Sequence, residues 1–228
     1  MDNLFIKQNL QQISKQLQKI GASMIENVVA ISKKKDAGAI EFCYEQSLRK
    51  FGENYVQELV EKQKILCDIC PDIEWHFTGH LQTNKVKYIA PFIHTIQTVD
   101  SVKLANEISK EALKNQRTIS IFIQVNTSGE NSKSGVSPLE VVKLVSDIKH
   151  LPGISIDGLM TIPTILDENE TQLRNEFREL VEVKNTIAQE LSINLSHLSM
   201  GMTNDYLIAL EEQATLVRIG TGIFGERL

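Results

Sequence analysis

The chain has no apolar run approaching the roughly 18 residues that a membrane span requires. Its N-terminus, Met1 to Ile20, mixes Lys, Gln and Asn among the apolar side chains. That stretch has no uninterrupted apolar core and no small-residue cleavage site, so it does not read as a secretory signal. Cysteine is scarce: the 3 thiols cannot all pair within one chain, which points to a reducing compartment, with the cytoplasm as the expectation. The N-x-S/T matches at Asn126, Asn169 and Asn194 then carry no meaning, because the glycosylation machinery is never met. Positive charge is not in excess either. Lys and Arg number 24 against 29 Asp and Glu, a formal charge of −5, which gives no general attraction for nucleic acid or anionic lipid. The expectation is a chain with no nucleic-acid and no membrane partner.

Linkers are missing as well. No Pro/Gly/Ser-rich or low-complexity stretch divides the sequence, so residues 1–228 read as a single domain, and 42% hydrophobic residues can build a substantial core. What is present is an alternation of two hydrophobic periods. An amphipathic helix (Leu4 to Ile20) leads. Candidate strands follow at Val28–Ser32, Lys50–Glu53, Glu74–Thr78, Ile93–Thr98, Ile119–Asn126, Ile154–Met160, Leu195–Ser199 and Leu216–Ile219. Helical spacing marks Ala39–Leu48, Val56–Ile69, Val102–Lys114, Leu139–His150, Gln172–Leu191 and Asp205–Gln213. Strands alternating with helices imply parallel pairing. Eight such units are the number that closes a parallel sheet into a barrel. No G-x-G-x-x-G follows the first strand, which argues against an open doubly wound sheet. The expected fold is α/β, a single (β/α)8 barrel with an extra N-terminal helix.

The chemically notable clusters sit just after strands, where a (β/α)8 barrel gathers its ligand-binding rim. Side chains alternate along a strand, so Val29, Ile31 and Lys33 share one face. If that face is the interior, Lys33 is the last inward residue at the rim. Partial desolvation and the like charges of Lys34 and Lys35 then favour the free amine, which attacks an aldehyde. The competing reading is a solvated basic turn. Ser199-Met200-Gly201 and Gly220-Thr221-Gly222, after the seventh and eighth strands, offer backbone N–H groups and hydroxyls where barrels place phosphates. Together with the lysine they point to a phosphorylated aldehyde. Arg218 would donate its permanent charge to a pyridine nitrogen and so weaken a ring as an electron sink; its alternative role is a rim salt bridge. Cys67-x-x-Cys70 with His76 and His80 imitates a zinc pattern, but the gap is far shorter than the roughly 12 residues of a zinc finger, and no metal is expected. Cys67 and Cys70 read as packing at a helix end. His76 reaches either the rim or the core.

Val29-Ala30-Ile31-Ser32-Lys33, Phe51-Gly52-Glu53-Asn54-Tyr55-Val56-Gln57-Glu58, Trp75-His76-Phe77-Thr78-Gly79-His80-Leu81-Gln82 and Arg218-Ile219-Gly220-Thr221-Gly222-Ile223-Phe224-Gly225 resemble the pyridoxal phosphate homeostasis protein family (YggS/PROSC). Asn131-Ser132-Lys133-Ser134-Gly135 and Leu198-Ser199-Met200-Gly201-Met202 match as well, so the resemblance covers nearly the whole chain. It implies a barrel of the alanine racemase N-terminal type and pyridoxal 5′-phosphate as cofactor. It further implies a Schiff-base lysine at Lys33, phosphate contacts from the loops with Ser199 and Gly220-Thr221, and Arg218 beside the pyridine nitrogen. Asn54, His76, Met200 and Gly201 are the remaining candidate cofactor-binding residues. The family's role implies binding and buffering of the cofactor, with effects on vitamin B6 and amino-acid pools. Three departures are mild: Asp36 stands where a proline is frequent, and Thr78 and Thr203 replace commoner Ile and Ser.

A cofactor carrier with no catalytic residue is the favoured expectation, as a monomer, with apo pyridoxal phosphate enzymes as candidate recipients. The alternative is an amino-acid racemase-like enzyme. Two-base racemization needs acid/base groups on both faces of the substrate adduct, and the sequence ends directly after the eighth strand, leaving no length for a second domain. An open rim also suits transfer better than protected carbanion chemistry. A third possibility is an aldolase-type barrel using Lys33 with no cofactor.

Overall fold

The computed structural model describes residues 3–130, 133–164 and 169–226. Helices α1 (Asn3–Lys19) and α2 (Met24–Asn27) lead into β1 (Val28–Ile31). Next come α3 (Ala37–Glu45), β2 (Lys50–Glu53), α4 (Val56–Leu66), β3 (Glu74–Phe77), α5 (Val86–Ile89) and β4 (Thr95–Val99). The second half runs α6 (Val102–Lys114), β5 (Ile119–Gln124), α7 (Val141–Ile148), β6 (Ile154–Met160) and α8 (Glu170–Leu191). It ends with β7 (His197–Ser199), α9 (Tyr206–Glu211), β8 (Val217–Ile219) and α10 (Thr221–Phe224). The eight strands are parallel, in the order β7-β6-β5-β4-β3-β2-β1-β8. Leu216, just before β8, bridges in parallel to Ser199, and Met200 N donates to Leu216 O at 3.1 Å, which closes the ring. This is the expected (β/α)8 barrel.

The strand alternation builds two cores. Outward residues such as Ala30, Phe51, Phe77, Ile121, Leu159, Leu198 and Val217 meet the helices. Inward Val29, Phe122, Met160 and Leu216 form a smaller cluster inside the barrel, with Ile31 packed on it. Burying each such side chain contributes about 1.5–3 kcal/mol. Helix α1 buries Ile6, Leu10, Ile13 and Leu17, a single 3.6-period face, against α3 and α10. Asn9 Nδ2 donates to Ile223 O at 3.0 Å, so α1 braces the segment that follows β8.

Three helices escape the sequence reading because of their length. Helices α2, α5 and α10 have four residues each, too few to display a helical period. Strands β4 and β7 begin two residues later than the apolar runs Ile93–Thr98 and Leu195–Ser199. The polar segment Lys50–Glu53 is nonetheless a strand: Phe51 fills the outer core, and Gly52 faces inward, where a Cβ would lie 2.4 Å from Ile31 Cδ1. Cys70 packs in the outer core, whereas Cys67 at the end of α4 is exposed rather than packed. Asn131 and Ser132 of the motif after β5, like Met1, Arg227 and Leu228, lie outside the described residues. No helix among the described residues is long and apolar enough to cross a membrane.

Candidate functional site

Gly52 leaves the barrel interior beside β1 without a side chain, and Ile31 occupies that space. Lys33, two residues on and on the same face by strand parity, stands half-buried at the rim. It lines a cavity of about 370 Å³. Ile31, Lys33, Asn54 and Thr78 line it from β1 and the segments after β1, β2 and β3. Arg218, Gly220 and Thr221, with the turn 202–205, line it from β8 and the segments after β7 and β8, and Ile162, after β6, completes the lining. Thr78 Oγ1 donates to Asn54 Oδ1 at 2.9 Å, which orients the Asn54 amide. The turns after β7 and β8 are tied together at Thr203: its hydroxyl accepts from Gly222 N at 3.2 Å and from Thr221 Oγ1 at 3.1 Å.

Arg218 is only 5% exposed. Its Nη1 donates to Ser199 O (2.7 Å) and Ser199 Oγ (2.8 Å), and its Nη2 to Thr161 O (2.7 Å). These three bonds use three of the five N–H donors that a guanidinium carries. Burial draws Arg218 down to about 10, opposed by the nearby carboxylate of Asp205, so the side chain stays charged at neutral pH. Burial raises Asp205 above the ordinary carboxylate value, opposed by the Met202 N–H and by Arg218.

Below the cavity the bonds form a chain with one direction. Arg218 can only donate, so the Ser199 hydroxyl accepts from it and passes its proton to Gln97 Oε1 at 2.7 Å. The Gln97 amide nitrogen lies 2.9 Å from His76 Nδ1, which fixes Nδ1 as the acceptor and puts the imidazole proton on Nε2. Burial above all, with the positive charge of Lys50 next, depresses His76 to about 3. His76 is therefore a neutral member of the barrel interior.

Of the residues singled out in the sequence, Lys33, Asn54, Arg218, Gly220 and Thr221 line the cavity together. Ser199 lies beneath it, fully buried, and His76 lies further in, linked through Gln97. The Met200 side chain points into the outer core. Gly201 has φ +90, accepts from Arg218 N through its carbonyl at 2.9 Å, and has Ala209 Cβ only 2.5 Å from where its own Cβ would be. It lets α9 close on the strands. Sequence reasoning missed Gln97, Asn204 and Asp205. Only Gln97 had a signal: Thr95 and Gln97 sit at alternate positions of β4, which places a polar pair on the inward face.

The Alanine racemase, N-terminal domain family matches residues 6–228. A pyridoxal phosphate homeostasis protein of Aquifex aeolicus is 46% identical over 184 residues, covering 81% of this chain and 79% of its own. One from Vibrio alginolyticus is 40% identical, with 97% of both chains covered. The solved structure of PipY from Synechococcus elongatus with pyridoxal phosphate bound superposes with a TM-score of 0.84 at 31% identity, covering 94% of this chain and 100% of that one.

Proposed function

This chain belongs to the alanine racemase N-terminal domain family and, within it, to the pyridoxal phosphate homeostasis proteins, and we propose that it holds pyridoxal 5′-phosphate covalently on Lys33 as a carrier and buffer of the cofactor. The observation that carries this reading is that Lys33 and Arg218 line one and the same rim cavity, together with Gly220 and Thr221. Bound pyridoxal phosphate supplies an aldehyde that condenses with a primary amine, releasing one water.

The residues fit such a group. Lys33 is the amine in the cavity. Gly220 keeps the wall beside β1 low, since a Cβ there would come within 3.3 Å of Ile31 O. The hydroxyls of Thr203 and Thr221 and the backbone at Gly220 and Thr221 are the polar groups suited to the phosphate. Arg218 is anchored by Ser199 and Thr161, retains donor capacity, and holds its charge, so it donates to a pyridine nitrogen without protonating it. An unprotonated ring is a poor electron sink, which supports carriage over carbanion chemistry. Among the described lining residues the ionisable side chains are Lys33, Asp205 and Arg218. Asp205, which accepts from Met202 N, is the one carboxylate among them.

The test is a visible spectrum of the purified protein and of Lys33→Ala, before and after adding pyridoxal phosphate. A new visible band that requires Lys33, with a borohydride-stable mass increase on the peptide containing it, is the expected result. No band in either protein with excess cofactor overturns the reading. Turnover of an amino acid that disappears in Lys33→Ala overturns the carrier role alone.

A further inference from the structure

Behind the cavity wall, on the helix side of β1 and β2, lies a charged cluster that lines no part of the cavity. Lys62 of α4 is only 5% exposed, and Glu53 is fully buried. Lys62 Nζ donates to Glu53 Oε1 (2.6 Å), Glu58 Oε1 (2.6 Å) and the backbone carbonyl of Ser32 (2.7 Å). The Ser32 hydroxyl donates to Glu53 Oε1 at 2.7 Å, and Lys34 N donates to Glu58 Oε1. Burying a lysine and a carboxylate is costly, and a well-packed apolar pair is often as stable or more so. The cluster therefore asks for a reason other than stability.

Its contacts supply one. The Ser32 carbonyl belongs to the peptide bond that precedes Lys33, and the Lys34 N–H belongs to the one that follows it. Lys62 holds the first directly, and Glu58, itself held by Lys62, holds the second. Lys34 has φ +63, a left-handed conformation that a side-chain-bearing residue adopts at some cost. The Glu58 acceptor offsets that cost at the residue next to the reactive amine.

We infer that Lys62, acting with Glu53 and Glu58, is a positioning device that fixes the backbone on both sides of Lys33 and so aims its amine into the cavity. This rests on the assignment of Lys33 as the attachment point. Lys62 touches neither the cavity nor its contents; it works through the loop.

The experiment mixes cofactor-free protein with pyridoxal phosphate, follows the rate of growth of the visible band, and measures in parallel the affinity for pyridoxine 5′-phosphate. That alcohol has no aldehyde, so it reports the ring and phosphate contacts without attachment. Lys62→Met is expected to slow attachment by about tenfold or more, the scale set by misplacing a reacting group, with pyridoxine phosphate affinity unchanged. Glu58→Ala shifts the rate the same way to a smaller extent, and Glu58→Gln, which keeps an acceptor for Lys34 N, restores it. Glu58 is partly exposed, so these two variants decide the matter even where Lys62→Met fails to fold. Wild-type attachment rates in Lys62→Met and Glu58→Ala overturn the inference, as does an equal loss of rate and analogue affinity, which marks a merely structural role. A wild-type protein that never develops the band overturns the Lys33 assignment, and the inference with it.

Discussion

Ser199 meets Arg218 at two points: the guanidinium donates to both its carbonyl and its hydroxyl. The hydroxyl is also the donor to Gln97, so it links the cavity wall to the barrel interior. Ser199→Ala removes that link and leaves the buried Gln97 carbonyl without its donor. The expected cost is about 1–3 kcal/mol of stability, read by denaturant unfolding, with weaker pyridoxal phosphate binding because Arg218 retains only carbonyl anchors. Unchanged stability and affinity would show that the hydroxyl link is idle.

His76 makes the stability of the fold depend on acid. Burial lowers its value from 6.5 to about 3 in the folded chain. Between those values the unfolded state takes up a proton that the folded state refuses. The contribution is complete above the unfolded value and is lost as pH falls from about 6.5 toward about 3, on the order of a few kcal/mol. His76→Gln keeps an acceptor for the Gln97 amide and removes the titration. Unfolding curves at neutral and acidic pH are expected to show a smaller acid loss in the variant; an identical loss sinks the assignment.

Much of this was legible in the sequence. The alternation of periods revealed eight units, and parity put Val29, Ile31 and Lys33 on one face, which the inner cluster of Val29, Phe122, Met160 and Leu216, with Ile31 packed on it, identifies as the inward one. Asp36, a departure from the family pattern, is explained locally: its carboxylate accepts from Ala39 N at 2.8 Å and caps α3. What the sequence could not reveal are contacts between residues far apart along the chain. Gln97 and Ser199 are separated by 102 positions, and the barrel's closure alone brings them together. Lys62 reads on its own as one more exposed helix lysine, and its burial follows from how α4 packs on β1 and β2. The packing of the turn Ser199-Met200-Gly201 was not legible either: strand parity sends the Met200 side chain into the outer core, and Gly201 lets α9 approach.

Gly79 is where two rim segments cross. A Cβ at this position would lie 2.2 Å from Asn54 O and 2.7 Å from Asn54 Cα, both backbone atoms with no rotamer to yield. Gly79→Ala must therefore push Asn54 and Thr78 apart, at about 1–3 kcal/mol or more, and deform one wall of the cavity. Thermal unfolding and pyridoxal phosphate titration are both expected to show losses. Gly38→Ala serves as the control, because Gly38, like Gly79, has no positive φ and a Cβ there would meet nothing closer than Asp36 Oδ1 at 3.5 Å. Equal effects in the two variants would mean that the crossing does not set the cost.

Thr203 offers the sharpest test of where the phosphate sits. Its hydroxyl accepts from Gly222 N and from Thr221 Oγ1, and thereby sets the spacing of the turns after β7 and β8. Thr203→Val keeps the shape of the side chain and deletes both acceptances. If these turns grip the phosphate, the variant loses affinity for pyridoxal phosphate and pyridoxine phosphate in equal measure. Affinity for unphosphorylated pyridoxal, which never used the grip, is expected to hold, so the preference for the phosphorylated form narrows. A uniform loss across all three compounds would point to a disturbed cavity rather than a phosphate site. An unchanged preference would move the phosphate away from these turns and leave Lys33 and Arg218 to orient the ring alone.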